Sequence, residues 1–543
     1  MFRVHYYLLI VAICVMTGSC YTTEEEDNIF HYNADSGIAS LDPAFAKSQS
    51  VMWAVHQLYN TLVEVDSALN LVPSLATRWE ISGDRRTYTF YLRSDVFFHD
   101  DPCFEGGKGR KLTAADVVYS FNRLADPATA SPGSWIFNEK LDSTGGFIAI
   151  NDTTFQLKLA RPYIPILGIL SMQYCSVVPQ EAVKKWGADF RRHAVGSGPF
   201  RFIAWEEGQS LILKKNETYF EMDEGGTRLP YLGGVKISFY DSKATEFLLL
   251  RQKKLEFIND LDASFKDEVL TKKGVLRKDW EGKVQLQTHP YLNIEYLGLL
   301  VDTSNPILKA SPTRFKKVRQ AINYGFDRKK MVLYLRNSLG IPAESGFVPA
   351  GLPSFDATEV KGYHYDPKRS RQLLAEAGFN GTNPLPPVKL LTIPIYSDIA
   401  SYIARQLEEL GFTVQVETVQ KSLLLEMTSS SKALFFRGSW IADYPDAENY
   451  LSVFYSKNPA PPNYTRYHNP AFDAVFEQAL RETDDSLRYR LYRQADQIMI
   501  DDAPVVPLWY DVVVRLVQPH VSGFTPNALN LLELRKVKLA KDR

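Results

Sequence analysis

Residues 388–419 place the tightest limit on what this chain can fold into. VKLLTIP (388–394) reads as an apolar strand, SDIASYIARQLEELGF (397–412) as an amphipathic helix stopped at Gly411, and VQVETV (414–419) as a second strand. A crossover of that length returns the second strand beside the first in the same direction. The chain is therefore read as α/β.

The alternation continues on both sides. NIFHYNAD (28–35), RTYTFYLR (86–93), TFQLKLA (154–160), SLILKKN (210–216) and VKISFY (235–240) read as strands. In AFAKSQSVMWAVHQLYNTLV (44–63), Val51, Val55 and Leu58 recur at helical spacing. TAADVVYSFNRLAD (113–126) opens on Thr113, which caps a helix, and puts Asp116 in the first turn, where the helix dipole favours it. Residues 314–340 read as two helices broken near Gly325, and 486–504 as a long helix ended by Pro504. With 543 residues the chain has room for about three domains.

The N-terminus reads as a targeting device. Arg3 and the amino group precede the apolar run YYLLIVAICVM (6–16), too short for a membrane span but suited to a signal peptide. Thr17-Gly18-Ser19-Cys20 resembles a bacterial lipobox, although Thr17 stands where Leu is usual. This implies residues 1–19 as a lipoprotein signal peptide and Cys20 as the lipidated anchor, with an ordinary signal peptide as the alternative. YTTEEEDN follows, so residues 20–27 are expected to form an acidic tether. This stretch also resembles the surface-export signal of Bacteroidetes lipoproteins, which leaves the periplasm and the outer-membrane surface both open.

A net charge of −1 supplies no basic face for phosphates, so nucleic acid is not expected as a partner. HExxH, CxxC and G-x-S-x-G are absent, and neighbouring carboxylates such as Asp100/Asp101 point apart. No enzyme activity, metal or cofactor is expected. GGKGRK (106–111) lacks phosphate-loop spacing and reads as a turn, and His99 and His289 read as local hydrogen-bonders. Cys103 and Cys175 form a possible disulfide; sequence gives no distance between them, so the bridged and free forms both stay open.

Several motifs carry a family resemblance when taken in order. They are VPSLATRWEISGDRRTYTFYLRSDVFFHD (72–100), LTAADVVYSFNRLADPATAS (112–131), VGSGPFRFIAW (195–205), KKNETYF (214–220), VRQAINYGFDR (318–328), LLAEAGF (373–379), WIADYPDAENYL (440–451) and APVVPLWY (503–510). The set resembles family 5 extracellular solute-binding proteins, the oligopeptide- and dipeptide-binding group. The resemblance implies a type II periplasmic-binding-protein fold (cluster C), with two ligand-clamping lobes and an inserted third. Lobe I would comprise 28–58, 196–290 and 499–543, lobe II 59–195, and lobe III 291–498. It also implies a short-peptide ligand held between lobes I and III, delivery to an ABC permease and ATPase, and a monomer in the cell envelope.

A peptide is a zwitterion, so a cleft that strips its water needs a charged partner at each end. By resemblance, Asp443 in RGSWIADYPD (437–446) meets the ligand ammonium, Arg437 approaches the carboxylate, and Trp440 and Tyr444 line the cleft. The structural alternatives are a turn at Asp443 before Pro445, a salt bridge at Arg437 and a core position for Trp440. Tyr291 and Tyr296 are further aromatic candidates by position. Rival readings are another solute on the same fold (nickel chelate, opine or oligosaccharide), a peptide receptor without transport, and a hydrolase.

Overall fold

The computed structural model describes residues 28–143, 145–380 and 382–540. The expected signal peptide, the acidic tether and Cys20 lie outside them. Among the described residues no helix is long and apolar enough to cross a membrane.

The crossover read from 388–419 is present. Strand Val388–Thr392 pairs in parallel with Val414–Thr418, and helix Ser397–Glu408 joins them. Its apolar stripe, Ile399, Ile403 and Leu407, is buried against the sheet. The chain breaks at Gly325, between helices Lys316–Tyr324 and Arg328–Arg336. Thr113 and Asp116 close a reciprocal capping box on helix Ala114–Ala125. That helix lies across an antiparallel sheet built from Ala76–Ile81, Thr87–Leu92, Thr154–Lys158 and Phe147–Asn151, with Phe121 edge-on to Phe147 and Phe155. A second four-stranded sheet holds Ile29–Asn33, Gly234–Ser238, Ser210–Lys215 and Phe200–Glu206.

The largest sheet contains two long antiparallel strands, Gln285–Leu299 and Val505–Val517. Their pairing is interrupted between Pro290 and Ile294. Pro290 has no N–H to give to a ladder, so a break there follows from the sequence. On one side of the break, Val512, Val514 and Leu516 pack with Leu286 and the helix carrying Phe247 and Leu250. On the other side, Val505 and Tyr510 join Ile294 and Tyr296 in a separate core. Leu297, Leu299, Val506 and Leu508 enter a further core, so one strand pair threads several, and the interruption frees Tyr291 and Leu292 from the ladder. The Leu292 N–H donates instead to the Ala528 carbonyl at 2.8 Å, and its carbonyl accepts from the Ala442 N–H at 2.8 Å.

The possible disulfide is not formed. Cys103 and Cys175 are both free. Cys175 is buried, with its Sγ 3.6 Å from the Ile169 carbonyl, and burial pushes its thiol pKa up. Cys103 sits half-buried in a turn fixed by its own N–H to Asp101 Oδ1 at 2.7 Å.

His99 is buried against the Gly198 carbonyl at 2.9 Å, and burial lowers its pKa to about 4. It is a neutral hydrogen-bonder, as read from the sequence.

Candidate functional site

A cavity of about 600 Å³ opens where the two long strands separate. One wall is helix Gln49–Leu58, which presents Met52, Trp53 and His56. The C-terminal segment supplies Asn530, Glu533 and Arg535, and Tyr291 comes from the strand break. Ile441, Ala442 and Asp443 line it from the end of strand Phe435–Ile441. Trp53 is fixed by donating its Nε1–H to the Asn530 carbonyl at 2.8 Å.

The cavity wall carries a dense charge network. Arg535 reaches Glu64 at 2.5 Å, Glu221 at 2.6 Å and Glu533 at 2.7 Å. His56 lies 3.2 Å from Glu533. Burial alone would raise the pKa of Glu64 and Glu533, but the Arg535 guanidinium outweighs it and holds both below the ordinary carboxylate range. Asp66, also at the cavity, is satisfied by its own turn through the N–H groups of Ala68 and Asn70, each at 2.8 Å.

Asp443 differs from these carboxylates. Its side chain accepts one weak bond, from Asn449 Nδ2 at 3.4 Å, and no cation lies within salt-bridge distance among the described residues. Solvent reaches it from inside the cavity while protein surrounds it elsewhere. That crowding raises its pKa above the ordinary value, with the Asn449 bond opposing. Asn449 is the residue that sequence reasoning missed. Its Oδ1 accepts from Trp440 Nε1 at 2.9 Å and from the Asp443 N–H at 3.3 Å, so it sets the turn that aims Asp443. The six-residue step from Asp443 to Asn449, across a turn into helix Glu448–Leu451, carries no periodic signal that would have pointed to it.

The structure does not bring the other candidates to this cavity. Arg437 is buried and paired with Glu295 at 2.6 Å, with its guanidinium 4.1 Å over the Tyr396 ring. This is a salt bridge inside the protein made through Nη2, and Arg437 lines a smaller cavity than the one that holds Asp443. Trp440 lines a separate small cavity of about 120 Å³ beside Tyr296 and Phe436. Tyr296 itself is core, and its ring lies where a Cβ on Gly438 would meet it at 2.5 Å, so only glycine fits there. Tyr444 is buried and donates to Glu448, with its hydroxyl 3.4 Å from that of Tyr163. It joins the segment around 163–168 to the 444–448 turn. Of the residues predicted from the sequence motif, Asp443 alone lines the cavity. The positional candidate Tyr291 lines it too.

The Tyr444 contact predicts a pH effect on stability. Burial raises the Glu448 pKa from 4.5 to about 7, with the hydroxyls of Tyr444 and Tyr163 opposing. The folded protein therefore keeps this proton up to about pH 7, while the unfolded chain releases it near 4.5. The stability it contributes is fully present below 4.5 and is lost as pH rises through 7. Glu448→Gln is expected to flatten the decline by up to about 1.4 kcal/mol per pH unit in urea titrations between pH 5 and 8. Buried Asp496, raised to about 7, retains its own share. An unchanged slope in the variant would mean that Glu448 is ionised in the fold.

Comparison with known proteins places the chain. It is 27% identical over 514 residues to the periplasmic oligopeptide-binding protein OppA of Salmonella typhimurium, covering 91% of this chain and 89% of that protein. It is 28% identical over 547 residues to heme-binding protein A of Haemophilus influenzae, covering 95% and 94%. The solved structure of HbpA2 from Haemophilus parasuis superposes with a TM-score of 0.80 at 24% identity, over 94% of this chain and 100% of that one. The fold is the α/β cluster C fold of periplasmic binding proteins expected from the sequence. The pattern of bacterial extracellular solute-binding proteins, family 5 Middle, matches residues 70–462. These are binding proteins, not enzymes, and the chain belongs to the bacterial extracellular solute-binding proteins of family 5.

Proposed function

We propose that this protein captures short peptides with a free amino terminus and delivers them to an ABC permease. The observation that carries the reading is the state of Asp443. Each other carboxylate at the cavity has an arginine partner or a complete turn around it. Asp443 has neither, and the surrounding protein raises its pKa with only the Asn449 bond opposing. A ligand ammonium supplies one. The name of the Salmonella relative, an oligopeptide-binding protein, agrees with this chemistry.

Two lobes would close on the ligand about the strand break, a hinge made of few residues. In this division the strand Gln285–Leu299 changes lobe near Tyr291. The strand Val505–Val517 changes near Asp511, because Val505 and Tyr510 share a core with Ile294 and Tyr296, and Val506 and Leu508 share one with Leu297 and Leu299. Residues 59–195 form the inserted lobe, and ligand contact on both sides shifts the population toward the closed form.

Calorimetry with di- to pentapeptides, and with haem as the competitor suggested by the Haemophilus relative's name, tests the reading. Peptides are expected to bind and to be retained in the presence of haem. Heat from haem and none from any peptide would end the peptide reading. Cys20, outside the described residues, is proposed as the lipid anchor in the cell envelope. Cys20→Ala is expected to move the protein from the membrane fraction to the soluble one, and continued sedimentation with membranes would reject the anchor.

A further inference from the structure

With Arg437 locked to Glu295, the ligand carboxylate lacks the partner that the sequence motif suggested. The cavity holds three other permanent cations: Lys47, Arg535 and Lys536. Arg535 is fully engaged by Glu64, Glu221 and Glu533. His56 is turned to Glu533. Lys536 is shared with a neighbouring cleft lined by Arg93, Glu221, Asp223 and Glu224, so it is not confined to this cavity. Lys47 is exposed, lies at the cavity and has no side-chain bond or ion pair among the described residues.

We propose that Lys47 is the specificity-determining residue for the carboxylate of the bound peptide. The assignment rests on the peptide reading above. Lys47 stands two residues before helix Gln49–Leu58, whose first turn has no acidic residue and whose Ser48 makes no side-chain cap bond. The positive end of that helix therefore adds to the Lys47 charge. Asp443 and Lys47 come from different walls of the same cavity, one from the end of strand Phe435–Ile441 and the other from the approach to helix Gln49–Leu58. A zwitterion bridging them ties the walls together, which links recognition of both termini to closure. An ammonium is a compact, rotatable donor, so ligands with somewhat different carboxylate positions are accommodated.

The test compares one peptide as its free acid and as its C-terminal amide, bound to wild type, Lys47→Met, Lys47→Arg and Lys536→Met. Wild type is expected to favour the free acid on the order of tenfold. Lys47→Met removes that preference while amide affinity stays constant, Lys47→Arg restores most of it, and Lys536→Met keeps it. Wild type binding acid and amide equally, or the preference surviving Lys47→Met or vanishing in Lys536→Met, overturns the assignment and leaves the peptide reading intact. Failure of both peptide forms to bind wild type overturns both.

Discussion

Asp443→Asn lowers affinity for a peptide with a free amino terminus by roughly 10- to 100-fold and leaves its N-acetylated counterpart nearly unchanged. The magnitude is that of a hydrogen bond to a charged group, about 1.5–3 kcal/mol. Asparagine preserves the shape of the side chain and its link to Asn449, so the turn that aims residue 443 is retained. What is lost is the negative charge, and only a cationic ligand terminus registers that loss. Wild type is expected to discriminate strongly between free and acetylated peptides because the acetyl group leaves Asp443 facing a neutral amide. Paired calorimetric titrations of the two peptides against both proteins read the effect. Equal losses for both peptides would show that Asp443 shapes the cavity without pairing with an ammonium.

Arg437→Met destabilises the fold by about 3–5 kcal/mol while leaving peptide affinity almost unchanged, because it strands a buried carboxylate. Glu295 is nearly inaccessible, and its oxygens are met by Arg437 at 2.6 Å and by the Tyr396 hydroxyl at 3.2 Å. Burial already raises the Glu295 pKa, with Arg437 opposing. Without the guanidinium the carboxyl must protonate or draw in water, and the Tyr396 ring loses the cation over its face. The double variant Arg437→Met/Glu295→Gln is expected to recover most of the loss, since it removes both charges together. Urea denaturation of the two variants reads the coupling. A stable Arg437→Met protein that no longer binds peptide would return Arg437 to the ligand.

These predictions separate residues that stand within one ten-residue segment. RGSWIADYPD was legible as a site because its residue types match a motif, but the motif assigns roles by position along the chain. The structure sorts them by direction. Strand Phe435–Ile441 sends Arg437 toward Glu295 on the neighbouring strand, a pairing of residues 142 apart in sequence. The turn after it sends Asp443 into the cavity and Tyr444 into a contact with Tyr163. Neighbouring residues in an extended backbone point opposite ways, so a motif shared by all of them cannot put all of them in one pocket.

Local pattern alone determined the elements. The β-α-β crossover at 388–418, the cap at Thr113 and the break at Gly325 all follow from hydrophobic period, a cap or a helix stop within a few residues. The family, too, was written in the order of motifs along the chain. Tertiary structure decided which charges are free. Arg437, Arg535, Glu64 and Glu533 look in sequence like Asp443 and Lys47, yet Arg437 is neutralised by Glu295 and Arg535 by Glu64 and Glu533, while Asp443 and Lys47 have no ion pair among the described residues. Charge pairing depends on distances of a few ångströms between segments hundreds of residues apart, and no local period encodes those distances.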